Sequence, residues 1–360
     1  MARILQLIDS LEAGGAERVA VNLANALSDK GHKVSLCSTR KGGVLKSDLG
    51  SSVTYFCLNK RSIWDLVAYY KLVRYVKKHQ IELIHAHTSS IFTAVLIKIF
   101  IPKIRCLWHD HSGAYELQKR SAFLYRQVVK NLDGIISVNN VLKNWSINAL
   151  QFPPEKVWLL PNFVVNKETV DLDYLPGLSG YRVICVANLR PQKGHNILIQ
   201  AFRKVIKKEP KAHLILVGAD TIKEIKEELF SYINDYDLTE HVTWLGMRND
   251  VRNIMNSCDI GVISSISEGL PLVLLEYGTV GLPVIVTKVG ECGFVVDNGN
   301  AGILIPPNSV EDLANAIIEL IDNPSKREMY GKKLRERVLL KFSDTRIIED
   351  LEKIYKDVLN

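Results

Sequence analysis

The sequence alternates short apolar runs with longer stretches of helical periodicity, and it does so in two successive rounds. The first round begins at the run Ile4–Ile8, whose only polar residue is Gln6, and it ends with Val157–Leu160. The second round begins at Arg182–Ala187. Strands that alternate with helices of this length form βαβ units around a parallel sheet. The pattern therefore predicts an α/β protein with two similar domains in tandem.

The segment 166–180 separates the two rounds, because it is rich in Pro and Gly and lacks a clear period. We interpret it as a linker between a first domain, 1–165, and a second domain, 181–342. The last helical segment, about 343–360, is a candidate to pack back on the first domain. Parallel sheets bind ligands beyond the carboxyl ends of their strands. We therefore expect the two sheets to face each other across a cleft that holds the ligand.

Composition excludes several classes of protein. A hydrophobic content of 47% and a charged content of 24% are typical of a soluble folded chain. The six cysteines show no CxxC spacing, which argues against a zinc site or a disulfide framework. The longest apolar tract, 91–104, is interrupted by Lys98 and Pro102 and is too short to cross a bilayer. We expect a cytoplasmic protein.

Positive charge is concentrated in the first half of the chain. Residues 1–165 contain 22 Lys and Arg against 11 Asp and Glu, whereas the remainder contains 24 against 28. Two segments, 60–79 and 119–130, combine basic with aromatic residues at helical spacing. This composition suits an anionic membrane surface and a peripheral position on the inner face of the membrane. A solvated helix with its aromatic residues in the core is the alternative, and no nucleic-acid-binding motif is present.

The stretch ISSISEGLPLVLLEYGTVGLP, residues 263–283, reads as a strand end, a tight turn and a short helix. Pro271 suits the first helical turn, and the amides of Gly269 and Leu270 then point out of a helix N-terminus, which binds anions. Glu268 precedes the helix and Glu276 lies within it. The pattern fits a ligand with a phosphate and hydroxyl groups. The alternative is a packed helix with two surface glutamates.

A second anion site is predicted in the segment 188–194, NLRPQKG, which follows a strand and opens a helix. Arg190 and Lys193 are three residues apart around a turn and can converge on one anion. Together with the turn at Gly269, they would make a diphosphate cradle. The turn at Gly14 and Gly15 also allows a ligand to approach closely, although the chain lacks the GxGxxG pattern of dinucleotide-binding proteins.

Histidines cluster at the ends of two neighbouring predicted strands. They are His85 and His87 at one strand, and His109 and His111 at the next. No acidic residues complete a metal site, so we expect no metal. We expect an active-site role for at least one of these histidines.

These motifs together carry a resemblance to a known family. The order GGAE (14–17), WHDH (108–111), VANLRPQKG (186–194) and the stretch 263–283, with Glu268 and Glu276 as an E-x7-E pair, is similar to the GT-B glycosyltransferases of family 4. Members have two tandem Rossmann-like domains facing across a cleft. The resemblance implies metal-independent transfer of a sugar from a nucleotide-diphosphate sugar with retention of anomeric configuration.

The resemblance also implies roles for individual residues. Arg190 and Lys193 would hold the diphosphate, and Glu276 the ribose. Glu268, with the amides of Gly269 and Leu270, would contact the transferred sugar. His109 would lie near the anomeric carbon.

One position departs from the family pattern. Members commonly have Gly-Gly-x-x-Glu after the strand that ends near Val286, whereas Phe294 occupies the glutamate position here and Glu291 lies three residues earlier.

The predicted function is a glycosyltransferase, either hexosyl- or N-acetylhexosaminyl-transferase, acting in cell-surface polysaccharide synthesis. UDP- and GDP-sugars are both candidate donors, and a glycan or a lipid-linked molecule is the candidate acceptor. A sugar-nucleotide epimerase of the same build and a non-catalytic sugar-nucleotide-binding subunit remain the alternatives. No cofactor is expected.

Overall fold

The computed structural model describes residues 1–112, 117, 120–165, 168–170, 172, 174–220 and 222–360. Lys119 and parts of the predicted linker, residues 166–167, 171 and 173, lie outside the described residues. The chain divides into two compact units. Unit 1 contains Met1–Val165 together with Asp344–Asn360, and unit 2 contains Asn166–Ser343.

Unit 1 is built on a seven-stranded sheet in the order β3-β2-β1-β4-β5-β6-β7, and every neighbouring pair is parallel. The central strands are almost wholly buried, which explains the apolar residues at most of their positions, and the polar side chains Gln6, His85 and His87 lie buried among them. The strands are β1 (Arg3–Ile8), β2 (Lys33–Ser38), β3 (Thr54–Cys57), β4 (Leu83–His87), β5 (Arg105–Asp110), β6 (Gly134–Ser137) and β7 (Val157–Leu159).

Helices connect these strands, as the periodicity predicted. Leu72, Ile97 and Val129 belong to the buried core against which three of them pack. The described helices of residues 1–165 are α1 (Gly15–Asp29), α2 (Leu66–Lys78), α3 (Ile91–Phe100), α4 (Ala122–Val129) and α5 (Asn140–Asn148).

The last helix of the chain, α13 (Asp344–Leu359), belongs to unit 1. Its buried face includes Ile348, Leu351 and Tyr355. Its polar face is tied to the same unit, since Glu352 lies 2.9 Å from the Nε2 atom of His32. The helix therefore covers part of unit 1 although almost 180 residues of unit 2 precede it in the chain.

Unit 2 has a six-stranded parallel sheet in the order β10-β9-β8-β11-β12-β13. The sequence patterns did not identify β13, an edge strand of only three residues. The strands are β8 (Arg182–Val186), β9 (His213–Val217), β10 (Val242–Trp244), β11 (Ile260–Ile263), β12 (Val284–Thr287) and β13 (Ile303–Ile305).

The helices of unit 2 pack around this sheet, with Phe202, Ile233 and Ile317 in one large core cluster. The described helices are α6 (His195–Lys208), α7 (Lys223–Asp235), α8 (Val251–Asn256), α9 (Leu272–Thr279), α10 (Cys292–Val295), α11 (Val310–Asp322) and α12 (Pro324–Lys341).

Gly278 lies inside α9 and does not end it. A Cβ atom at this position would lie 2.5 Å from Cγ2 of Val338, so the glycine allows α9 and α12 to approach closely. Gly281 follows the helix in the left-handed region, with φ of 71°.

The strand order reverses once in each unit. In unit 1 the reversal lies between β1 and β4, and in unit 2 it lies between β8 and β11. A crevice opens beyond the carboxyl ends of the strands at such a point, because the connections leave in opposite directions. Among the described residues, no helix is both long and apolar enough to span a membrane.

Candidate active site

The loops after β8 and β11 are joined at the reversal point of unit 2. The amide of Ile266 donates to the carbonyl of Gln192 at 2.9 Å, and the hydroxyl of Ser264 donates to the carbonyl of Lys193 at 3.0 Å. Gly194 caps α6 in the left-handed region, with φ of 66°, and a Cβ atom there would lie 2.2 Å from the carbonyl oxygen of Ser264. Only glycine satisfies both the backbone angle and the close approach. The two loops therefore form one fixed platform.

Lys193 and Glu268 meet on this platform. The ammonium nitrogen of Lys193 lies 2.6 Å from Oε1 of Glu268, and the same oxygen accepts a hydrogen bond of 2.6 Å from the hydroxyl of Ser265. The side chains of Lys193 and Glu268 are 23% and 9% exposed. An ammonium group has three donors, so its pairing with Glu268 leaves two for a ligand. The structure thus joins two residues that the sequence assigned to different parts of a substrate.

Arg190 lies on the same loop and is exposed. It forms no ion pair among the residues that the structure describes. The 3-10 turn Pro191–Lys193 separates it from Gly194. A solvent-facing guanidinium beside a partly neutralised ammonium favours binding of an anion with more than one charge.

The helix after β11 begins at Leu272, and Pro271 is its capping residue in an extended conformation. The prediction that Pro271 lies in the first turn is therefore wrong by one position. Glu268 and Gly269 are half-buried, whereas Leu270 is buried. The amide of Leu274 donates to the carbonyl of Pro271 at 3.1 Å. The dipole of the helix favours negative charge at this end of α9.

Glu276 lies in the second turn of α9 and is half-buried. Burial lowers the pKa of Arg252, and the carboxylate of Glu276 opposes that shift, so the two charges lie close together. The guanidinium of Arg252 also donates to the hydroxyl of Thr279 at 2.6 Å. Glu276 and Thr279 of α9 thus form a polar group with Arg252 of α8.

The loop after β12 contacts the same turn through its backbone. The amide of Glu291 donates to the carbonyl of Gly269 at 2.8 Å. Gly290, with φ of 52°, approaches the carbonyls of Glu268 and Gly269 so closely that a Cβ atom would lie 2.4 Å from each oxygen.

Phe294 is held elsewhere, because its ring lies under Arg337 and Lys341 of α12 and its carbonyl accepts from Arg337. The side chain at the departing position therefore packs on α12.

In unit 1, Gly14 caps α1 and Gly15 is its first residue. A Cβ atom at Gly14 would lie 2.2 Å from Oε2 of Glu17, whose carboxylate folds back over the turn. This turn follows β1, and β4 is the neighbouring strand on the other side of the reversal point. The predicted glycine turn thus lies at the position where unit 1 can bind a ligand.

The four histidines form a hydrogen-bonded cluster at the ends of β4 and β5, in which His85, His87 and His109 are buried and His111 is half-buried. His85 Nε2 lies 3.1 Å from His109 Nδ1, and His87 Nδ1 lies 2.9 Å from His111 Nε2. Two further residues, Tyr355 and Gln6, form hydrogen bonds with these histidines. His85 Nδ1 lies 2.6 Å from the hydroxyl of Tyr355, and His87 Nε2 lies 2.6 Å from Oε1 of Gln6.

Burial keeps these imidazoles neutral. It lowers the pKa of His85 to about 3 and that of His111 to about 4, and it holds the pKa of His87 and His109 well below the usual value. The proximity of the other imidazoles adds to the shift at His87 and His109.

Nitrogen atoms of His85, His87 and His109 lie within 4.8 Å of one another, a spacing at which three histidines can share a metal ion. The rings of His85 and His87 are stacked, with an interplanar angle of 7° and centroids 4.7 Å apart. A ring nitrogen directs its lone pair in the plane of the ring, so two stacked rings cannot both point at one ion. The arrangement fits a hydrogen-bond network better than a metal site, and the absence of a catalytic metal stays a prediction.

Asp110, which lies between His109 and His111 in the sequence, is fully buried. It accepts two hydrogen bonds from the guanidinium of Arg120, at 2.5 and 2.9 Å. Arg120 also lies over the rings of Trp108, Tyr125 and Trp145. The interpretation of segment 119–130 as a basic surface is therefore wrong for Arg120, which faces inward.

Sequence reasoning missed three residues of these clusters: Gln6, Ser265 and Tyr355. Gln6 carried a signal, since it is the one polar residue in a central apolar strand and buried polar groups need partners. Ser265 and Tyr355 carried none, because their roles depend on where a turn and a distant helix lie.

Two Rossmann-like units, each with polar residues gathered where the strand order reverses, define a glycosyltransferase fold of the GT-B type. Family models match both halves of the chain. The model described as Glycosyltransferase Family 4 matches residues 13–167, and the one described as Glycosyl transferases group 1 matches residues 176–337. The chain belongs to the family 4 glycosyltransferases, as its motifs predicted.

Relatives match along nearly the whole chain. The Escherichia coli UDP-Gal:alpha-D-GlcNAc-diphosphoundecaprenol alpha-1,3-galactosyltransferase is 26% identical, over 96% of this chain and 94% of its own length. The Bacillus anthracis N-acetyl-alpha-D-glucosaminyl L-malate synthase is 24% identical over the same shares. Among solved structures, Anabaena HepE in complex with UDP-glucose superposes with a TM-score of 0.81 at 22% identity, covering 99% of this chain and 100% of its own.

Proposed function

We propose that this glycosyltransferase moves a sugar, with retention of anomeric configuration, from a nucleotide-diphosphate sugar to a glycan or lipid-linked acceptor in cell-surface polysaccharide synthesis. The observation that carries the proposal is the Lys193–Glu268 pair at the reversal point of unit 2. It brings a cation for the diphosphate and a carboxylate for the sugar onto one rigid platform.

The first residues to assign are those that bind the diphosphate leaving group. As the bond between sugar and diphosphate breaks, negative charge grows on the phosphate oxygens. Lys193, Arg190 and the amides of Gly269 and Leu270 stabilise that charge, with Pro271 fixing the entry into α9. Donors that are positioned before the reaction supply this stabilisation without reorganisation, which is commonly the largest contribution to catalysis. Two cations take the place of a metal ion, so we expect activity in the presence of a chelator.

Other residues contact the sugar and the nucleoside of the donor. Glu268 faces the sugar, on which positive charge develops, and Glu276 binds the ribose. Gly14 and Gly15 let the donor approach the backbone of unit 1. His109 acts on the substrate through its Nε2 atom. That atom is buried and has no hydrogen-bond partner in the part of the chain that the structure describes.

A UDP-hexose is the donor that we favour over a GDP-sugar. The E. coli relative is named for a UDP-galactose donor, and HepE was solved with UDP-glucose. The acceptor that we favour is a lipid-linked diphosphate sugar, because the same E. coli relative acts on one by its name.

The surface of unit 1 supports an acceptor in a membrane. At the start of α2 three large apolar side chains face solvent: Trp64 is 80%, Leu66 75% and Tyr70 67% exposed. The same helix exposes basic residues, including Lys71 and Arg74, while Tyr69 and Leu72 pack in the core. An exposed apolar edge beside cations is the arrangement that an anionic lipid surface binds.

The test is a panel of UDP- and GDP-sugars, assayed with membrane-extracted lipid acceptors and scored by product and by its anomeric configuration. The proposal predicts an α-linked product from an α-linked UDP-sugar. An inverted product, or isomerisation of the donor without transfer, would contradict it. Glu268→Gln, which keeps the size of the side chain, should lower kcat by about 100-fold or more. Glu311→Gln, on an exposed ion pair with Lys204, is the matched control.

A further inference from the structure

Among the residues that the structure describes, Gln6 is the one that joins the two branches of the histidine cluster. Gln6 lies in β1, and its side chain is fully buried. Its Oε1 atom lies 2.6 Å from His87 Nε2, and its Nε2 atom lies 3.3 Å from the hydroxyl of Tyr355. An amide oxygen only accepts and an amide nitrogen only donates. The orientation of this one side chain therefore determines the direction of every hydrogen bond that follows.

The branch through Tyr355 leads to His109. The tyrosine oxygen accepts from the amide of Gln6, and its own proton needs an acceptor because the hydroxyl is buried. Among the described residues that acceptor is His85 Nδ1, at 2.6 Å. A neutral imidazole that accepts at Nδ1 carries its proton at Nε2, so His85 donates to His109 Nδ1. By the same rule, His109 carries its proton on Nε2.

The branch through His87 runs in a consistent direction. His87 donates from Nε2 to the oxygen of Gln6, which leaves its Nδ1 atom to accept from His111 Nε2. Every hydrogen bond in the two branches then has one donor and one acceptor. The two branches can therefore coexist only when His85, His87 and His111 all carry their protons on Nε2.

We propose that Gln6 and Tyr355 are positioning residues that place the proton of His109 on Nε2 and so make it a fixed hydrogen-bond donor toward the substrate. The inference rests on the proposed function for the claim that His109 contacts substrate. The Nε2 atom is the end of the relay, and it is a buried donor without a partner among the described residues. A buried donor in this state is satisfied when an acceptor binds, and a substrate oxygen is such an acceptor.

This assignment excludes one role for His109. A nitrogen that already carries a proton cannot act as a general base, and Nδ1 is occupied by His85. His109 therefore orients or polarises the substrate and does not remove a proton from the acceptor. The helix α13, which supplies Tyr355, becomes part of the catalytic apparatus through the relay.

The sharpest test is Gln6→Glu, which keeps the shape of the side chain and changes its hydrogen bonding. An ionised carboxylate accepts at both ends, so the proton of Tyr355 turns to the new group. His85 then has to donate from Nδ1 and accept at Nε2, and the proton of His109 moves to Nδ1. When the new carboxyl is protonated, it can donate to Tyr355 and restore the original direction. The titratable groups packed nearby are His85, His87, His111, Asp110 and Tyr355.

The measurement is the pair of ring nitrogen shifts of His109 in full-length protein labelled with 15N-histidine, followed over pH and assigned with a His109→Asn variant. Wild type should show the proton on Nε2 throughout the neutral range. Gln6→Glu should show it on Nδ1 at high pH and on Nε2 at low pH. Its kcat should fall about tenfold at high pH with little change in KM for the donor, and recover as the pH falls. Gln151→Glu, at an exposed position, should change neither quantity.

Tyr355→Phe gives a second and independent variant, because it removes the hydroxyl and leaves His85 free to adopt either tautomer. Tyr55→Phe, which loses a hydroxyl bonded to Ser38, is its control. A wild-type spectrum with the proton on Nδ1, or tautomers of His109 that do not respond to Gln6→Glu, would overturn the relay. Inverted tautomers with unchanged kcat would overturn the positioning role. If wild type transfers no sugar at all, the proposed function fails, and the nitrogen shifts still decide the relay.

Discussion

The ammonium of Lys193 lies 2.6 Å from the carboxylate of Glu268, although 75 residues separate them in the chain. Because the two side chains form one ion pair, we expect the loss of Lys193 to impair both donor binding and catalysis. Lys193→Met should abolish the stabilisation of the protein by UDP in thermal melts and lower kcat by about 100-fold or more. Lys204→Met, on the exposed pair with Glu311, should leave both unchanged. Full stabilisation by UDP in Lys193→Met would show that the diphosphate binds elsewhere.

The buried imidazoles predict sensitivity to acid. An unfolded histidine has a pKa near 6.5, whereas burial lowers the folded value to about 3 for His85 and about 4 for His111. Below about pH 6.5 the unfolded chain therefore binds protons that the folded chain excludes. As the pH falls further, each imidazole lowers the free energy of unfolding by about 1.4 kcal/mol per pH unit, until the pH reaches the pKa of the folded state.

Urea unfolding at pH 7, 6 and 5 measures this slope. His111→Gln should reduce the slope by the contribution of one imidazole, about 1.4 kcal/mol per pH unit. A free energy of unfolding that stays constant from pH 7 to 5 would show that the cluster accepts protons while folded.

The Asp110–Arg120 pair predicts a large effect on stability. Asp110 has no solvent exposure, and Arg120 is its bidentate partner. Arg120→Met leaves a buried carboxylate without its cation and should lower the free energy of unfolding by about 3–5 kcal/mol. Arg346→Met breaks an exposed pair with Asp350 and should change it by less than about 1 kcal/mol. Equal losses in the two variants would contradict the prediction.

Gly194 predicts a coupled loss of stability and donor binding. Gly194→Ala places a Cβ atom at a positive φ and against the carbonyl of Ser264, so the loop that carries Lys193 has to move. We expect a loss of about 1–3 kcal/mol and a higher KM for the donor. Gly299→Ala also meets a positive φ, of 105°, but has no atom within 4 Å. It should cost less and leave KM unchanged, and a normal KM in Gly194→Ala would rule out the loop as a donor platform.

The exposed side chains of α2 predict binding to anionic membranes. In liposome flotation, we expect the protein to float with vesicles that contain anionic phospholipid and not with neutral ones, and salt should weaken the binding. The double substitution Trp64→Ser and Tyr70→Ser should reduce flotation at least severalfold. Leu340→Ser removes a comparably exposed apolar side chain from unit 2 and should have no effect. Flotation that is independent of lipid charge would refute this surface.

The fold could be predicted from the sequence because its signals are local. Apolar runs of four to six residues marked nearly every strand, and the periodicity between them marked the helices. The strand β13 was missed because three residues at a sheet edge, two of them only half-buried, do not make a distinctive run. Pro271 was misplaced by one residue because a proline is accepted both at a cap and in a first turn.

The site was predictable only in part. Lys193, Glu268 and the histidines could be selected because strand ends of a parallel sheet meet at one edge. Their pairing could not, since it depends on the path of two loops. Arg120 was misjudged for the same reason, because its partner Asp110 lies ten residues away in a strand whose facing side the sequence does not reveal. Tyr355 is 349 residues from Gln6, and no local pattern connects the two.

The position of α13 has a consequence for how the protein is made. The ribosome completes residues 1–165 first, but the helix that covers them emerges only after the whole of unit 2 has been synthesised. Until then Gln6 and His85 lack their tyrosine partner, and the apolar surface under Leu351 stays open. Unit 1 is therefore the first to begin folding and the last to finish, so that a nascent chain can complete the histidine network of unit 1 only after translation of unit 2 is over.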